Sequence, residues 1–528
     1  MKNFLIKLFI TIIIGSVIYY FLLPPINLSS PLFWVFSLGL VFLFLMMLSL
    51  ESDSKQLLVQ TTRIKENTLN VVWGVYLIIF IIPFILLFIG CPIFNSKKYA
   101  NRIEITDASF KDDVETVNFS SLPLLDKDSS RKLGDRVMGG MTELVSQFAV
   151  SDLYTQINYN DDIVRVTPLE YASVIKYFTN NKEGVKGYIV VNSVTGKANL
   201  VKLDKGMQYM PSSLFSKDLM RHLRFNYPTK IFGNANFEID NEGKPYWIVP
   251  TVKYTFVGLR REIEGAIILD AVTGESKFYK VKDIPTWVDH VYPADLIMEQ
   301  TDNHGTYQNG FINSIIGQKG VVVTTDGYNY VASNDDIYLY TGITSVTNDE
   351  SILGFIMTNL RTKETKFYSV SGAKEESAMA SAEGKVQQMK YTSTFPLLIN
   401  LNDKPTYFLS LKDNAGLVKM YGFVDVEDYQ NVVVTDASLG IEEAVSNYLN
   451  GEILESDDLE EKEIEIDSIV DAVLDGLTYY YIVDTDGNKY KVSIKVADNS
   501  LPFMNEGDKI SISYKEKNNI LEIVKINS

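Results

Sequence analysis

Three apolar runs, Phe4–Leu23, Leu32–Leu50 and Val71–Gly90, crowd the start of this chain. Each is close to the roughly 20 apolar residues that a helix needs to cross a bilayer core. Lys7 is the only charge inside them and lies near an end, where its stem can carry the ammonium to the interface. Pro83 removes one backbone hydrogen bond from the third run, a loss that neighbouring helices compensate. The first run has no clear small-x-small cleavage site and two further runs follow it. It therefore reads as an uncleaved helix rather than a signal peptide.

Three crossings put the two ends of the chain on opposite sides of a membrane. The loop Pro24–Ser30 is uncharged, whereas Lys2, Lys7, Lys55, Arg63 and Lys65 fall on the other side. The positive-inside rule then leaves the large C-terminal region extracytoplasmic, in a plasma membrane protein. Lys97, Lys98 and Arg102 directly follow the third run and argue the other way.

The rest of the chain repeats itself. Gly187-Tyr-Ile-Val-Val-Asn192-Ser-Val-Thr195-Gly196-Lys197 returns as Gly265-Ala-Ile-Ile-Leu-Asp270-Ala-Val-Thr273-Gly274-Glu275, and again from Gly354 through Asn359, Thr362, Lys363 and Glu364. Lys277-Phe278-Tyr279 answers Lys366-Phe367-Tyr368. Each copy is an apolar run, a turn on Asn or Asp, and an alternating run, which is the pattern of a β-hairpin. Asn160-Asp161-Asp162-Ile163 recurs as Asn334–Ile337, an offset of 334 − 160 = 174, and Lys244-Pro245 recurs as Lys404-Pro405, an offset of 404 − 244 = 160. Ser216–Arg224 and Ser381–Met389 read as amphipathic helices ahead of each Lys-Pro. The order of these anchors predicts a duplication, two hairpin-rich units in each half.

The stretch Tyr246–Tyr279, an aromatic strand followed by Gly-x-Ile-Ile-Leu-Asp-Ala-x-Thr-Gly-Glu, resembles PepSY modules, small α+β units of bacterial envelope proteins. The region Asn334–Tyr421 also resembles membrane proteins of Gram-positive bacteria. PepSY modules are usually binding or inhibitory units, so the resemblance implies binding rather than turnover.

The expected fold class is α+β and multi-domain. Residues 1–91 form a membrane domain, 92–145 a connecting region, and 146–310 and 311–450 the two PepSY-like halves. In the connecting region, Asp126–Lys132 reads as a solvated loop and Gly139-Gly140 as a turn. Thr325-Asp326-Gly327-Tyr328 and Asp240–Gly243 read as further hairpin turns, while Pro293–Gln300 and Ile441–Leu449 read as helices closing each half. Residues 451–463, with Asp457, Asp458, Glu460, Glu461 and Glu463, read as an acidic linker. Residues 464–528 carry five evenly spaced short strands and resemble a small OB-like β-barrel.

Chemistry is harder to find. The chain has 49 basic and 66 acidic residues, a net charge of −17 that repels phosphate backbones and makes nucleic acid an unsuitable partner. Its one cysteine, Cys91, closes an apolar run, so no disulfide forms within the chain. His222, His290 and His304 have no metal-ligand spacing. His222 reads as a surface residue and His304 as a turn residue, while His290, near Trp287, is a weak catalytic candidate. Thr195-Gly196-Lys197 lacks the earlier glycine of a P-loop, and Asp484-Thr-Asp486-Gly487-Asn488 fits a hairpin better than a calcium loop.

No catalytic residue, cofactor site or metal site is therefore assigned. The expected function is a non-catalytic, membrane-anchored binding or scaffold protein of the bacterial cell envelope. Its expected partners are the membrane lipid bilayer and an envelope protein, peptide or wall polymer. The rival expectations are an envelope hydrolase with an Asp/Glu pair lining a cleft between the halves, and an accessory subunit of a transport or secretion complex. For the latter, Gly15, Gly39 and Gly74 offer points of close helix approach.

Overall fold

A computed structural model describes residues 2–527, apart from 54–58, 118–121, 161, 334–335, 348–350, 454–459, 475–476, 497–499 and 518–519. The chain is mixed α+β. Its helices, in order, are α1 (Lys2–Leu22), α2 (Pro31–Asp53), α3 (Val59–Gly90), α4 (Pro92–Ala100), α5 (Lys127–Gly139), α6 (Val174–Asn180), α7 (Leu219–Asn226), α8 (Ala294–Tyr307), α9 (Glu375–Lys385) and α10 (Ile441–Ile453), besides several single turns. The first three contain Phe4–Leu22, Pro31–Ser49 and Leu69–Gly90, each long and apolar enough to cross a membrane. Lys7 donates its Nζ proton to the Met47 carbonyl of α2 at 2.6 Å, so its charge is solvated by backbone from the neighbouring helix. Of the three candidate glycines, Gly15 lies against Leu40, whereas Gly39 and Gly74 have nothing within 4 Å of an added β-carbon.

Four small sheets follow and share one five-strand pattern, to which the third adds Ile105–Ala108, parallel to Thr365–Tyr368. In the first unit the central strand Asp162–Tyr171 pairs on one edge with both Phe148–Val150 and Thr155–Tyr159, and on the other with Val185–Asn192, which pairs with Ala198–Met207. The second unit repeats this with Ile231–Phe232 and Asn236–Ile239 on Pro245–Tyr254, then Arg261–Asp270 and Ser276–Lys280. The third uses Val322–Thr324 and Asn329–Ser333 on Asp336–Ser345, then Gly354–Asn359 and Thr365–Tyr368. The fourth uses Thr392–Ser393 and Leu397–Leu401 on Lys404–Lys412, then Val418–Asp425 and Val432–Asp436. The two strands on the shared edge lie end to end. The sequence 325–328 between two of them is therefore not the hairpin turn expected of it, because Val322–Thr324 and Asn329–Ser333 pair with the central strand and not with each other.

The repeated Asn/Asp-x-x-Thr-Gly has a physical reason. Asp270 Oδ1 accepts the N–H groups of Val272 (2.8 Å) and Thr273 (2.9 Å), and Thr273 Oγ1 accepts from Glu275 N at 3.2 Å. Asn192 does the same for Val194 and Thr195, and Asn359 for Arg361 and Thr362. An acceptor on a short side chain fixes the turn locally. The next residue is left-handed in each: Gly196 (φ 71°), Gly274 (φ 78°) and, without glycine's freedom, Lys363 (φ 70°).

Units one and two share a core that runs from Val166, Leu169, Tyr188 and Ile189 into Phe237, Trp247, Ile267 and Leu269. Units three and four share another, from Tyr340 and Phe355 into Tyr407, Phe408 and Phe423, closed by α9 and α10. The opposite face of unit two, with Ile248, Ala266 and Ile268, packs on α8 and on Ile337 and Leu339 of unit three. Burial on both faces explains why Ala266–Leu269 is a continuous apolar run rather than an alternating one.

Several expectations change. Asp126–Lys132 is not a solvated loop: Asp126 caps α5 by accepting from Ser129 N at 3.0 Å, and its carboxylate pairs with Lys412. The helix expected at Pro293–Gln300 extends to Tyr307. The last strands, Glu460–Leu474, Leu477–Asp484, Lys489–Ser493, Lys509–Lys517 and Ile520–Asn527, close into a five-stranded barrel around Ile466, Ile482, Val492, Ile512 and Ile523. That barrel begins at Glu460, inside the segment read as an acidic linker; Asp457 and Asp458 lie outside the described residues.

Candidate functional site

The units meet at a buried polar junction. Glu238, on the edge strand of unit two, is fully buried, and its carboxylate accepts the N–H groups of Asp289 (2.9 Å) and His290 (3.0 Å) from the segment that leads into α8. Asp289 in turn accepts from Asn158 N of unit one at 2.8 Å. His290 Nε2 lies 2.6 Å from the Gln156 carbonyl, so that nitrogen carries the proton, and the ring stands edge-on to Tyr330 of unit three, 5.4 Å between centroids. Arg165 donates to Gln156 Oε1 (2.6 Å) and to the Leu125 carbonyl (2.9 Å).

Burial drives the electrostatics here. It pushes His290 down to about 4, against the hydrogen bond to Gln156 that favours the cation. It pushes Glu238 above the ordinary carboxylate range, against the two N–H donors that favour the anion. It brings Arg165 down to about 10, which leaves it charged at neutral pH. His290 is thus a neutral ring engaged with backbone, and its geometry is that of a structural pin between three units rather than a proton shuttle.

Beside the junction lies a cleft of about 250 Å³ between units one, three and four. Asn158 and Ile163, Val331–Ser333 and Leu397–Asn400 form its walls, and the extended segment Val114–Val117 its rim. That segment already uses the edge of unit four: Thr116 makes a parallel β-bridge to Asn400, Val117 N donates to the Asn400 carbonyl at 2.8 Å, and Asn400 Nδ2 donates to Val114 O at 2.6 Å. The side-chain oxygens of Asn158 and Asn400 remain without a hydrogen-bond partner among the described residues. One belongs to unit one and the other to unit four, and a buried amide oxygen is costly unless a donor meets it. Among the described residues the wall holds one carboxylate, Glu115, and not the pair that an acid–base hydrolase requires.

The other histidines lie elsewhere. His222 is half-buried rather than on the surface, with Nε2 2.9 Å from the Gly274 carbonyl and its ring 4.4 Å from that of Tyr209. His304 is not in a turn but in α8, with Nδ1 2.9 Å from the Ala100 carbonyl at the end of α4. Asp484 takes the hairpin role, accepting from Asp486 N, Asn488 N and Lys462 Nζ. Glu238 and Asn158 carried no signal of function, because each alternates with core residues along its strand, and Asn400 carried none because it interrupts an apolar run. Glu238 and Asn158 meet the segment that leads into α8, and Asn400 meets the segment Val114–Val117.

No protein-family model matches the chain, and no curated protein does. Among solved structures, a Synechocystis apocarotenoid oxygenase, a tryptophan-to-alanine variant, aligns at 10% identity over 70% of this chain, with a TM-score of 0.15. The alignment spans 66% of that enzyme, just under two thirds of its length, and at this score bears on neither fold nor activity.

Proposed function

We propose that this is a non-catalytic, membrane-anchored binding or scaffold protein of the bacterial cell envelope, multi-pass, with its body on the extracytoplasmic side. Its four units are PepSY-like and its terminal barrel OB-like. The cleft carries the reading: a groove of mixed character beside a strand edge, with Asn158, Asn400, Thr116 and Ser333 set among apolar residues, suits an extended peptide or an exported protein segment. Such a ligand presents N–H donors at regular spacing, and a strand edge can hold it through main-chain hydrogen bonds.

The orientation draws support from Arg102. It is one of three cations that argue against an outside body, yet its guanidinium is buried, paired with Glu262 (3.0 Å) and Glu299 (2.6 Å). A cation already neutralised by the body's own carboxylates adds little to the charge balance of the flanking loop.

The test is peptide binding by the full chain in lipid nanodiscs, followed by fluorescence anisotropy across a library of unstructured peptides. Binding by the native chain that is lost in Asn400→Leu and in Asn158→Leu supports the reading. Binding unchanged by both substitutions, or no binding across the library, overturns the assignment of the cleft.

A further inference from the structure

Two apolar surfaces stand beside the ends of the membrane-spanning helices. The first begins where unit two meets α1. Arg224 Nε donates to the Leu23 carbonyl at 2.9 Å, Ile26 N donates to Pro228 O at 2.8 Å, and the Arg221 guanidinium lies 4.3 Å over the Tyr20 ring. These contacts fix α7 at the end of the span. From there an aromatic path leads outward: Phe225 meets Tyr19 at 6.2 Å, Arg221 donates to the Phe215 carbonyl, and Phe215 meets Phe178 at 6.2 Å. Phe178 and Phe225 are exposed, and Ile175 on α6 is 72% exposed. Phe215 has a left-handed backbone (φ 55°), strained for a bulky residue, yet its ring faces outward.

The second surface lies beyond α8. That helix runs antiparallel to α4: Glu299 meets Arg102, His304 meets the Ala100 carbonyl, and Tyr307 meets Tyr99 at 6.1 Å. As α8 advances, its partners step back along α4 toward Cys91 and the end of α3. Tyr99 Oη donates to the Gly90 carbonyl at 3.1 Å, so the tip of α8 lies near the end of α3. There Phe311 stacks on Tyr307 while Ile312, Ile315 and Ile316 are exposed, Ile316 to 82%.

Isolated apolar side chains on a surface are ordinary; contiguous groups at the end of a membrane span are not. Aromatic rings with arginine at headgroup level form the belt that anchors proteins at membrane interfaces. We propose that the body is seated on the bilayer through these two feet, the α6–Phe215–α7 face and the tip after α8, which enter the boundary between headgroups and acyl chains. The partner is the lipid surface of the membrane that holds α1–α3. The inference rests on those helices crossing a bilayer and is indifferent to which side the body occupies, so it stands or falls separately from the peptide cleft. Seating would add lipid contacts to the hydrogen bonds that already tie unit two to the end of α1.

The test uses the full chain with Cys91→Ser, purified and placed in nanodiscs of mixed neutral and anionic lipid. Single cysteines at Ile175→Cys, Ile316→Cys and, as a control on the body, Glu242→Cys carry an environment-sensitive fluorophore, with a shallow spin-labelled lipid as quencher. Quenching at both feet about threefold above the control is the expected result. Equal quenching at all three sites overturns the proposal. So does a blue-shifted label that the lipid does not quench, which would mean that a second copy of this chain covers the foot. Ile315→Cys and Phe178→Cys repeat the measurement should either first variant fail to fold.

Discussion

Gly265 and Gly354 hold the same position in two different sheets. A β-carbon on Gly265 would overlap the carbonyl oxygen of Tyr279, and one on Gly354 that of Tyr368. Gly187 stands in the same relation to Val201 O, 2.7 Å from where its β-carbon would be. These are backbone obstacles, which cannot turn aside as a side chain can. Gly265→Ala or Gly354→Ala should therefore cost about 2–4 kcal/mol. Gly384→Ala, in the exposed last turn of α9 with nothing within 4 Å, should instead stabilise by about 0.5–1 kcal/mol. Thermal unfolding of the three variants in one detergent checks the contrast in sign.

His290 and Glu238 should oppose one another in pH dependence. His290 titrates near 4 when folded and near 6.5 when unfolded, so the unfolded chain takes up the proton first. Its contribution is lost as pH falls through that window, about 3 kcal/mol in all. Glu238 is raised when folded, so its contribution is present below the ordinary carboxylate value and lost as pH rises toward its folded value. The two slopes offset one another in mildly acidic solution. Glu238→Gln should unmask a loss of stability on acidification, and His290→Asn a loss on raising pH. Denaturant midpoints at three pH values between about 4.5 and 6.5 decide it, and variants parallel to the native chain would exclude the idea.

The repeat was legible where local chemistry writes it. Asn192, Asp270 and Asn359 each make the turn, and three glycines mark the close approach. The fourth unit was harder to see because Met420 occupies the position of Gly265, paired with Leu411 as Gly265 is with Thr251. Its turn survives in Asp425, which accepts from Glu427 N and Asp428 N, without the Thr-Gly of units one and two or the Thr-Lys of unit three. The cleft and the junction were not legible. They depend on which faces of four similar sheets meet, and alternation within a strand cannot say that. Helix α5 was hidden by its polarity: Asp126 through Lys132 looks solvated, yet the pair with Lys412 and the burial of Ser130, Gly134 and Met138 show that it is docked.

The barrel should depend on Asp484, whose side chain is 2% exposed. Burial alone would raise its carboxyl, but donors from Asn488, Lys462 and Tyr490 outweigh that and hold it well below the usual range. A depressed value means stability that is present above the ordinary carboxylate value and lost as pH falls. Asp484→Asn keeps the shape but loses the charge, and should destabilise the barrel by about 2–3 kcal/mol. Amide hydrogen exchange in Leu477–Asp484 and Lys489–Ser493 reports it, with exchange in the four units unchanged.

The side of the membrane can be read from one exposed residue. Glu242 lies in the turn before the central strand of unit two, with its side chain 73% exposed and, among the described residues, one ion pair, an exposed one to Lys244. Such a pair contributes little, so Glu242→Cys leaves the fold intact. In a Cys91→Ser background, a membrane-impermeant thiol reagent should label it in intact cells as fully as in lysed ones. Labelling only after lysis would put the body in the cytoplasm. It would make Lys97 and Lys98 part of the inside charge, and turn the search for what fills the cleft toward cytosolic peptides. The two feet beside α1 and α3 would remain at a bilayer in either case, because they are fixed to the same ends of the same helices.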